Sequence, residues 1–254
     1  MAAFSATPGS GDRPPPDPRR LLVLWDVDHT LLSAGPVSRG AYADAFVHVT
    51  GRELVHLADM AGRTDLHITQ ETLRLHGIEP TDDAVRGIMD GLLPAFLRRH
   101  HELLRDARPL PGAAGAVRAL ATARHVVQSV LTGNLHATTH LKLAAVGLAG
   151  PDIDLAVGAY GDDHRDRARL VPLARSRAAA AYRTDFGGRR TVVIGDTVHD
   201  VSAALAGGAS VVAVATGRAD ATVLAAAGAH AVLPDLADTA AVLAAIRTVS
   251  GAEA

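Results

Sequence analysis

The sequence places acidic and hydroxyl side chains directly after apolar runs, and it does so three times. Leu21-Leu22-Val23-Leu24-Trp25 ends in Asp26 and Asp28, followed by His29 and Thr30. The run from His125 to Leu131 ends in Thr132-Gly133-Asn134, and Thr191 to Ile194 ends in Gly195-Asp196-Thr197-Val198-His199-Asp200. Short apolar runs suit strands buried on both faces of a parallel sheet. Ligands of such sheets bind beyond the carboxyl ends of the strands, so groups far apart in sequence can meet there. Carboxylates such as Asp26 and Asp196 suit a hard cation such as Mg²⁺, which takes oxygen ligands. The Thr132 hydroxyl and the free amides of a tight turn suit phosphate oxygens. An ionised Asp can also act as a nucleophile. A second acid two residues on can give a proton to a leaving group and then take one from water.

The charged run Asp162 to Arg169, which carries Arg165, Arg167 and Arg169, reads mostly as a solvated loop. Lys142 is the only lysine among 25 basic residues, so an arginine alone is weak evidence for a site. Plain structural readings stand beside the chemical ones. Asp26 and Asp28 could end a strand in solvent, Thr132-Gly133 could be an ordinary turn, and Asp200 could cap a helix starting at Val201. His29 reads as a placeholder within its motif, and His199 as a loop residue near the site. Arg63 reads equally as an exposed residue or a substrate clamp. The recurrence of polar groups at strand ends favours the chemical reading.

The elements that must hold these groups follow from periodicity. Strands are expected at Leu21–Trp25, His125–Leu131, Thr191–Ile194, Ser210–Val214 and Ala231–Leu233, with a possible short one at Leu155–Val157. Between them lie helices, among them Ala113–Ala123, Ala137–Val146, Leu170–Arg183, Val201–Ala206, Ala219–Ala227 and Thr239–Ile246. Alternating strands and helices argue for an α/β fold with helices on both faces of a parallel sheet. The stretch 36–106 has no strand pattern. It reads as helices from Ser38, from Leu66 to His76 and from Asp82 to Asp106, with a kink or break expected at Pro94. It is therefore an inserted helical subdomain, leaving 20–35 and 107–254 as the α/β core. Residues 1–19, with Pro14-Pro15-Pro16, read as a disordered tail.

Composition narrows the classes. The chain has 254 residues, 48% hydrophobic and 20% charged, enough for a substantial core. A net charge of −2 gives no global attraction to nucleic acid or anionic membrane. Cysteine is absent, which excludes disulfides and thiolate chemistry and fits a cytoplasmic location. No apolar run approaches the ~20 residues of a membrane span, and no secretory signal is legible. Oligomeric state has no signature.

Taken in order, Asp26-Val27-Asp28-His29-Thr30, Leu131-Thr132-Gly133 and Gly195-Asp196-Thr197-Val198-His199-Asp200 resemble the first, second and fourth motifs of the haloacid dehalogenase-like hydrolase superfamily. The resemblance covers Leu21 to the C-terminus. The insert directly after the first motif resembles the helical C1-type cap of the phosphoglycolate phosphatase-like branch. The resemblance implies a Rossmann-like core and a Mg²⁺-dependent phosphatase that hydrolyses a small phosphomonoester through an aspartyl-phosphate. Asp26 would be nucleophile and metal ligand, and Asp28 general acid and base with its backbone carbonyl on the metal. Thr132 and Gly133 would bind phosphate, Asp196 would ligate metal, and Asp200 would act in the outer shell. Gly62-Arg63-Thr64-Asp65 would lie on a cap loop facing the site, with Arg63 as its substrate residue. The third motif departs from the family, which usually has a Lys there. Arg167 is the choice for that role, with Arg165, Arg169 and Lys142 as alternatives. A beta-phosphoglucomutase-like phosphomutase and a non-catalytic phosphate-ligand binding protein are the alternative functions.

Overall fold

In the computed structural model, residues 17 and 20–251 are described. The tail expected over residues 1–19 lies outside them, apart from Asp17. Five parallel strands form the central sheet: β1 (Leu21–Trp25), β4 (Val126–Val130), β5 (Thr191–Gly195), β6 (Ser210–Val214) and β7 (Ala231–Leu233). Their order is β4-β1-β5-β6-β7. This order puts β1 in the middle of the three strands that end in candidate site residues. β1 is buried along its whole length, as its unbroken apolar run requires. Trp25, the largest buried side chain, donates its indole N–H to Gln128 Oε1 on β4 at 3.1 Å, so its one polar atom is satisfied.

The helices α5 (Ala113–Ala121), α6 (His136–Ala145), α7 (Leu170–Tyr182), α8 (Val198–Ala206), α9 (Ala221–Ala226) and α10 (Thr239–Ser250) complete the α/β layers. Odd-numbered β1 side chains pack into one core layer with α5 and α10, while Leu22 and Leu24 pack into another with α7 and α8. Alternate residues of one strand thus face opposite layers.

The insert consists of α1 (Val37–Thr50), α2 (Asp65–Leu75), α3 (Asp82–Arg98) and α4 (His100–Asp106). It has an apolar centre of its own around Phe46, Ile68, Leu73, Ile88 and Leu92. Two very short strands, β2 (Leu32–Ser33) and β3 (Arg108–Pro109), pair antiparallel where the chain leaves and re-enters the core.

Three local expectations need correction. The break expected at Pro94 falls at Arg99 instead. Pro94 and Asp90, whose carbonyl loses its helical partner, are both on the exposed side of α3, where water can replace the bond. The chain bends where Arg99 is clamped by Asp44 through bonds of 2.8 and 2.9 Å. Leu155–Val157 is a 3₁₀ turn rather than a strand, because the Asp154 carboxylate captures the Ala156 amide at 3.1 Å. Helix α8 starts at Val198 rather than Val201. Its N-cap is Thr197, which accepts from the Asp200 amide at 3.2 Å while Asp200 Oδ2 accepts from the Thr197 amide at 3.0 Å. Asp200 is therefore the returning half of a capping box and not the cap itself.

Candidate active site

The backbone brings the sequence-separated motifs to one edge of the sheet. The β1 ladder continues past its end: Asp26 N donates to Ile194 O and Leu131 N donates to Trp25 O, each at 2.8 Å. Asp26 is thereby fixed between the ends of β4 and β5. The chain then turns sharply, with Leu31 N and Leu32 N both donating to Val27 O, and His29 takes the left-handed conformation at φ 61°. Asp26, Asp28, Thr132, Gly133, Arg167, Asp196 and Arg63 all line one cavity of about 710 Å³ between core and insert.

Asp26, Asp196 and Asp200 are buried, and their carboxylate oxygens lie within 4.8 Å of one another. Burial, and then the neighbouring Asp200 charge, push the pKa of Asp26 well above the ordinary carboxylate range, with Arg167 offsetting part of the shift. The same two causes raise Asp196 to about 7. Crowded acids held this way are under-compensated in positive charge and offer only hard oxygen donors, so they fit a hard divalent cation such as Mg²⁺. Asp200 is already engaged: one oxygen meets Arg167 at 2.5 Å and the other accepts from Thr197. That leaves Asp26 and Asp196 as the carboxylates open to direct ligation, with Asp200 behind them. Thr30 Oγ donates to Asp196 Oδ1 at 3.3 Å. A Cβ at Gly217 would stand 1.8 Å from Asp196 Oδ2, so only glycine lets this carboxylate sit where it does.

The three loop arginines separate clearly. Arg167 is buried, at the start of a 3₁₀ turn capped by Asp166, whereas Arg165 and Arg169 are exposed. Arg167 Nη2 donates to Asp26 Oδ1 at 2.7 Å, to Asp200 and to Leu131 O at 3.2 Å. Burial alone would lower its pKa, but the Asp200 and Asp26 charges outweigh burial and keep it protonated. Lys142 is elsewhere. Fully buried on α6, it donates to Asp28 Oδ2 and to Asn134 Oδ1, each at 2.7 Å. Burial opposes ionisation of Asp28, yet the Lys142 ammonium and the Asn134 amide overcome it, and its pKa lies below the ordinary value. Each of the two acids of the first motif therefore has its own cation.

Sequence reasoning missed Asn134, Asp65, Gly217, Arg39 and Arg218, all of which line the cavity. Asn134 Nδ2 donates to Asp28 Oδ2 at 2.7 Å and to Thr132 Oγ at 2.9 Å, tying the second motif to the first. Its position directly after Thr132-Gly133 was the available signal. Asp65 had none beyond its place in the Gly62–Asp65 loop. That loop lies against the core: a Cβ on Gly133 would stand 1.9 Å from the Arg63 carbonyl. Thr64 Oγ donates to Arg165 O at 2.7 Å across the same seam.

A parallel sheet with an acid-rich edge, closed over by a helical insert, defines a class of α/β enzyme that works at the carboxyl ends of its strands. The chain belongs to the haloacid dehalogenase-like hydrolase family, whose model matches residues 23–205. Among solved structures it resembles a hydrolase from Pseudomonas syringae, with a TM-score of 0.66 and 22% identity over 89% of this chain and 98% of that one. It also resembles a predicted phosphatase from Clostridium acetobutylicum, with a TM-score of 0.65 and 16% identity over 89% of this chain and 99% of that one. A third, from Bacteroides vulgatus, is named provisionally as a beta-phosphoglucomutase, with a TM-score of 0.64 and 17% identity over 91% of this chain and 90% of that one. At these identities the likeness establishes the fold. A search of curated protein sequences finds no match. No helix among the described residues is long and apolar enough to cross a membrane.

Proposed function

We propose that this hydrolase is a Mg²⁺-dependent phosphatase acting on a small phosphomonoester. The observation that carries the reading is the convergence of Asp26, Asp196, Thr132 and the buried Arg167 on one cavity, with Arg167 2.7 Å from Asp26. Asp26 and Asp196 would hold the cation. When bound, it supplies positive charge that favours the ionised carboxylates and offsets charge on phosphate oxygens.

The chain's own residues do the rest. Asp26 attacks phosphorus, forming an acyl-phosphate bond as the bond from phosphorus to the leaving oxygen breaks. Asp28 gives that oxygen a proton, and the alcohol departs. Water, losing a proton to Asp28, then attacks phosphorus and releases Asp26 and inorganic phosphate. Asp28 is held ionised by Lys142 in the ligand-free protein, and an arriving phosphate dianion raises its pKa and favours the protonated donor. Thr132 and the Gly133 amide support the phosphoryl oxygens, and Arg167 keeps Asp26 oriented while adding charge beside the transferred group. Arg63, at the cavity wall, faces the part of the substrate beyond phosphorus. A cytoplasmic protein meeting phosphorylated metabolites fits this chemistry.

Release of p-nitrophenol from p-nitrophenyl phosphate with Mg²⁺, and its loss with chelator, is the test. Asp26→Asn should reduce turnover by more than about 10³-fold; full activity in that variant would sink the nucleophile assignment. A phosphomutase is the second reading, supported by the shared fold of the Bacteroides vulgatus protein. Product analysis on hexose phosphates separates the two, since a mutase returns an isomer and a phosphatase returns free phosphate.

A further inference from the structure

We propose that Asp65 is a positioning residue: carried by the insert, it clamps the core segment 133–135 and thereby holds the Asn134 amide against Asp28. The inference rests on the reading of Asp28 as the proton-transfer group.

Asp65 is the first residue of α2, a place where an acid commonly serves its own helix. Here Thr64 has that task, accepting from His67 N at 3.2 Å. The Asp65 carboxylate turns away. Oδ1 accepts from the Tyr42 hydroxyl of α1 at 2.8 Å, and Oδ2 accepts from the Leu135 amide of the core at 3.0 Å. The backbone amide of Asp65 donates to Gly133 O at 2.7 Å. One residue of the insert thus holds the core chain on both sides of Asn134.

Asn134 is where that grip matters. Its amide nitrogen donates to Asp28 and its amide oxygen accepts from Lys142. Turning this side chain would uncouple Asp28 from one of its two donors. Gly133 makes the clamp possible, because any Cβ there would meet the Arg63 carbonyl.

The choice of an acid at position 65 also needs explaining. Asp65 is only 5% exposed, and burying a carboxylate is costly. Only a carboxylate accepts at both ends of one short side chain, as the Tyr42 hydroxyl and the Leu135 amide together require. An Asn would present a donor at one of the two.

The test uses the full chain, Mg²⁺ and the alkyl ester glycerol 2-phosphate, whose departing alkoxide needs the Asp28 proton. Asp65→Ala should lower kcat by about 10- to 100-fold with KM changed less than about 3-fold. In an Asp28→Ala background the same substitution should change the residual kcat by less than about 2-fold, because the group it positions is gone. Equal losses in both backgrounds, or wild-type kcat in Asp65→Ala, overturn the proposal. Hydrogen exchange at the Leu135 amide gives an arm independent of turnover. It should accelerate at least about tenfold in Asp65→Ala while β5 amides keep their protection. Unchanged protection at Leu135 overturns the clamp. Inactivity of the wild-type chain on all phosphoesters overturns the phosphatase reading instead, and exchange then decides the clamp. Should Asp65→Ala fail to fold, Tyr42→Phe removes one partner only. It should lower kcat by about 2- to 10-fold, again only when Asp28 is present, and a loss of the same size without Asp28 overturns the proposal.

Discussion

The ammonium of Lys142 lies 2.7 Å from the Asp28 carboxylate, and it is the lysine, 1% exposed, that is the deeper partner. The only lysine of the chain is thus committed to the second acid of the first motif. Replacing it with Met removes the charge that holds the Asp28 pKa down. Without that charge the Asp28 pKa rises, so its ionised form, the proposed activator of water, appears only at higher pH. The acidic limb of kcat against pH should move upward by about one unit in Lys142→Met. An unmoved limb would detach Asp28 from that limb.

Asp28 should matter in proportion to the basicity of the leaving oxygen. An alkoxide needs a proton as it departs, and a p-nitrophenolate does not. Asp28→Asn should therefore depress kcat/KM for an alkyl phosphate at least about tenfold more than for p-nitrophenyl phosphate. Equal losses on the two esters would remove Asp28 as the acid.

Arg167 is buried against Asp26 and Asp200, while Arg165 and Arg169 face solvent. Arg167→Met should cost at least about 10²-fold in turnover. Arg167→Lys should recover part of that loss, since a point charge replaces part of the fork. Arg165→Met and Arg169→Met should stay within about 3-fold of wild type. A large loss in either would move the third-motif role.

Metal-free stability should fall with rising pH in a defined window. Burial and Asp200 raise Asp196 to about 7 in the folded protein, whereas an unfolded Asp titrates near ~3.9. Between those values the folded state binds more protons than the unfolded state, so stability falls as pH rises through about 4 to 7. Mg²⁺ held by Asp26 and Asp196, as proposed, would favour the ionised folded form and should flatten this slope. Melting temperatures across that range, with and without Mg²⁺, check it. Asp196→Asn should make the slope shallower, leaving the share of Asp26 and Asp65, which burial also raises, and should weaken the Mg²⁺ response.

His29 holds a left-handed backbone at φ 61°, a conformation that costs most residues about 1–2 kcal/mol. His29→Gly should raise stability by about 0.4–1 kcal/mol once the extra freedom of glycine in the unfolded chain is deducted. A lower melting temperature would show that the imidazole contributes contacts outweighing the strain.

Much of the layout was legible because it follows from short-range pattern. The apolar runs at Leu21 and Thr191 became central strands, since nothing else buries such residues on both sides. The family and fold class followed from polar residues at their ends. What was not legible depends on side chains reaching across the chain. Pro94 did not break α3, because its lost bond faces solvent, a fact of tertiary placement. The T-x-x-D spacing of Thr197 and Asp200 matches a capping box, and that spacing, rather than Asp200 alone, marks where α8 begins. The pattern around Arg167 favours it over Lys142 as the single positive partner, whereas the fold uses both, one for each acid. Asp65 was legible only as part of a loop facing the site, and its role was not, because its partners Tyr42 and Leu135 lie 23 and 70 residues away.

The two-residue ribbon of β2 and β3 has a consequence for how such a chain can change. Leu32 pairs with Pro109 and Ser33 with Arg108, so the insert leaves and returns through one narrow doorway. The core's own connectivity is sealed at that doorway, whatever lies beyond it. A helical bundle of another length or lining could replace residues 36–106 without altering a single pairing of the central sheet. The fold of the core and the build of the insert are therefore separately heritable, joined in the site through Asp65. A chimera that keeps the doorway and exchanges the insert should keep the fold of the core, and should keep the Asp26 and Asp28 machinery only if the new insert supplies an acid in the place of Asp65.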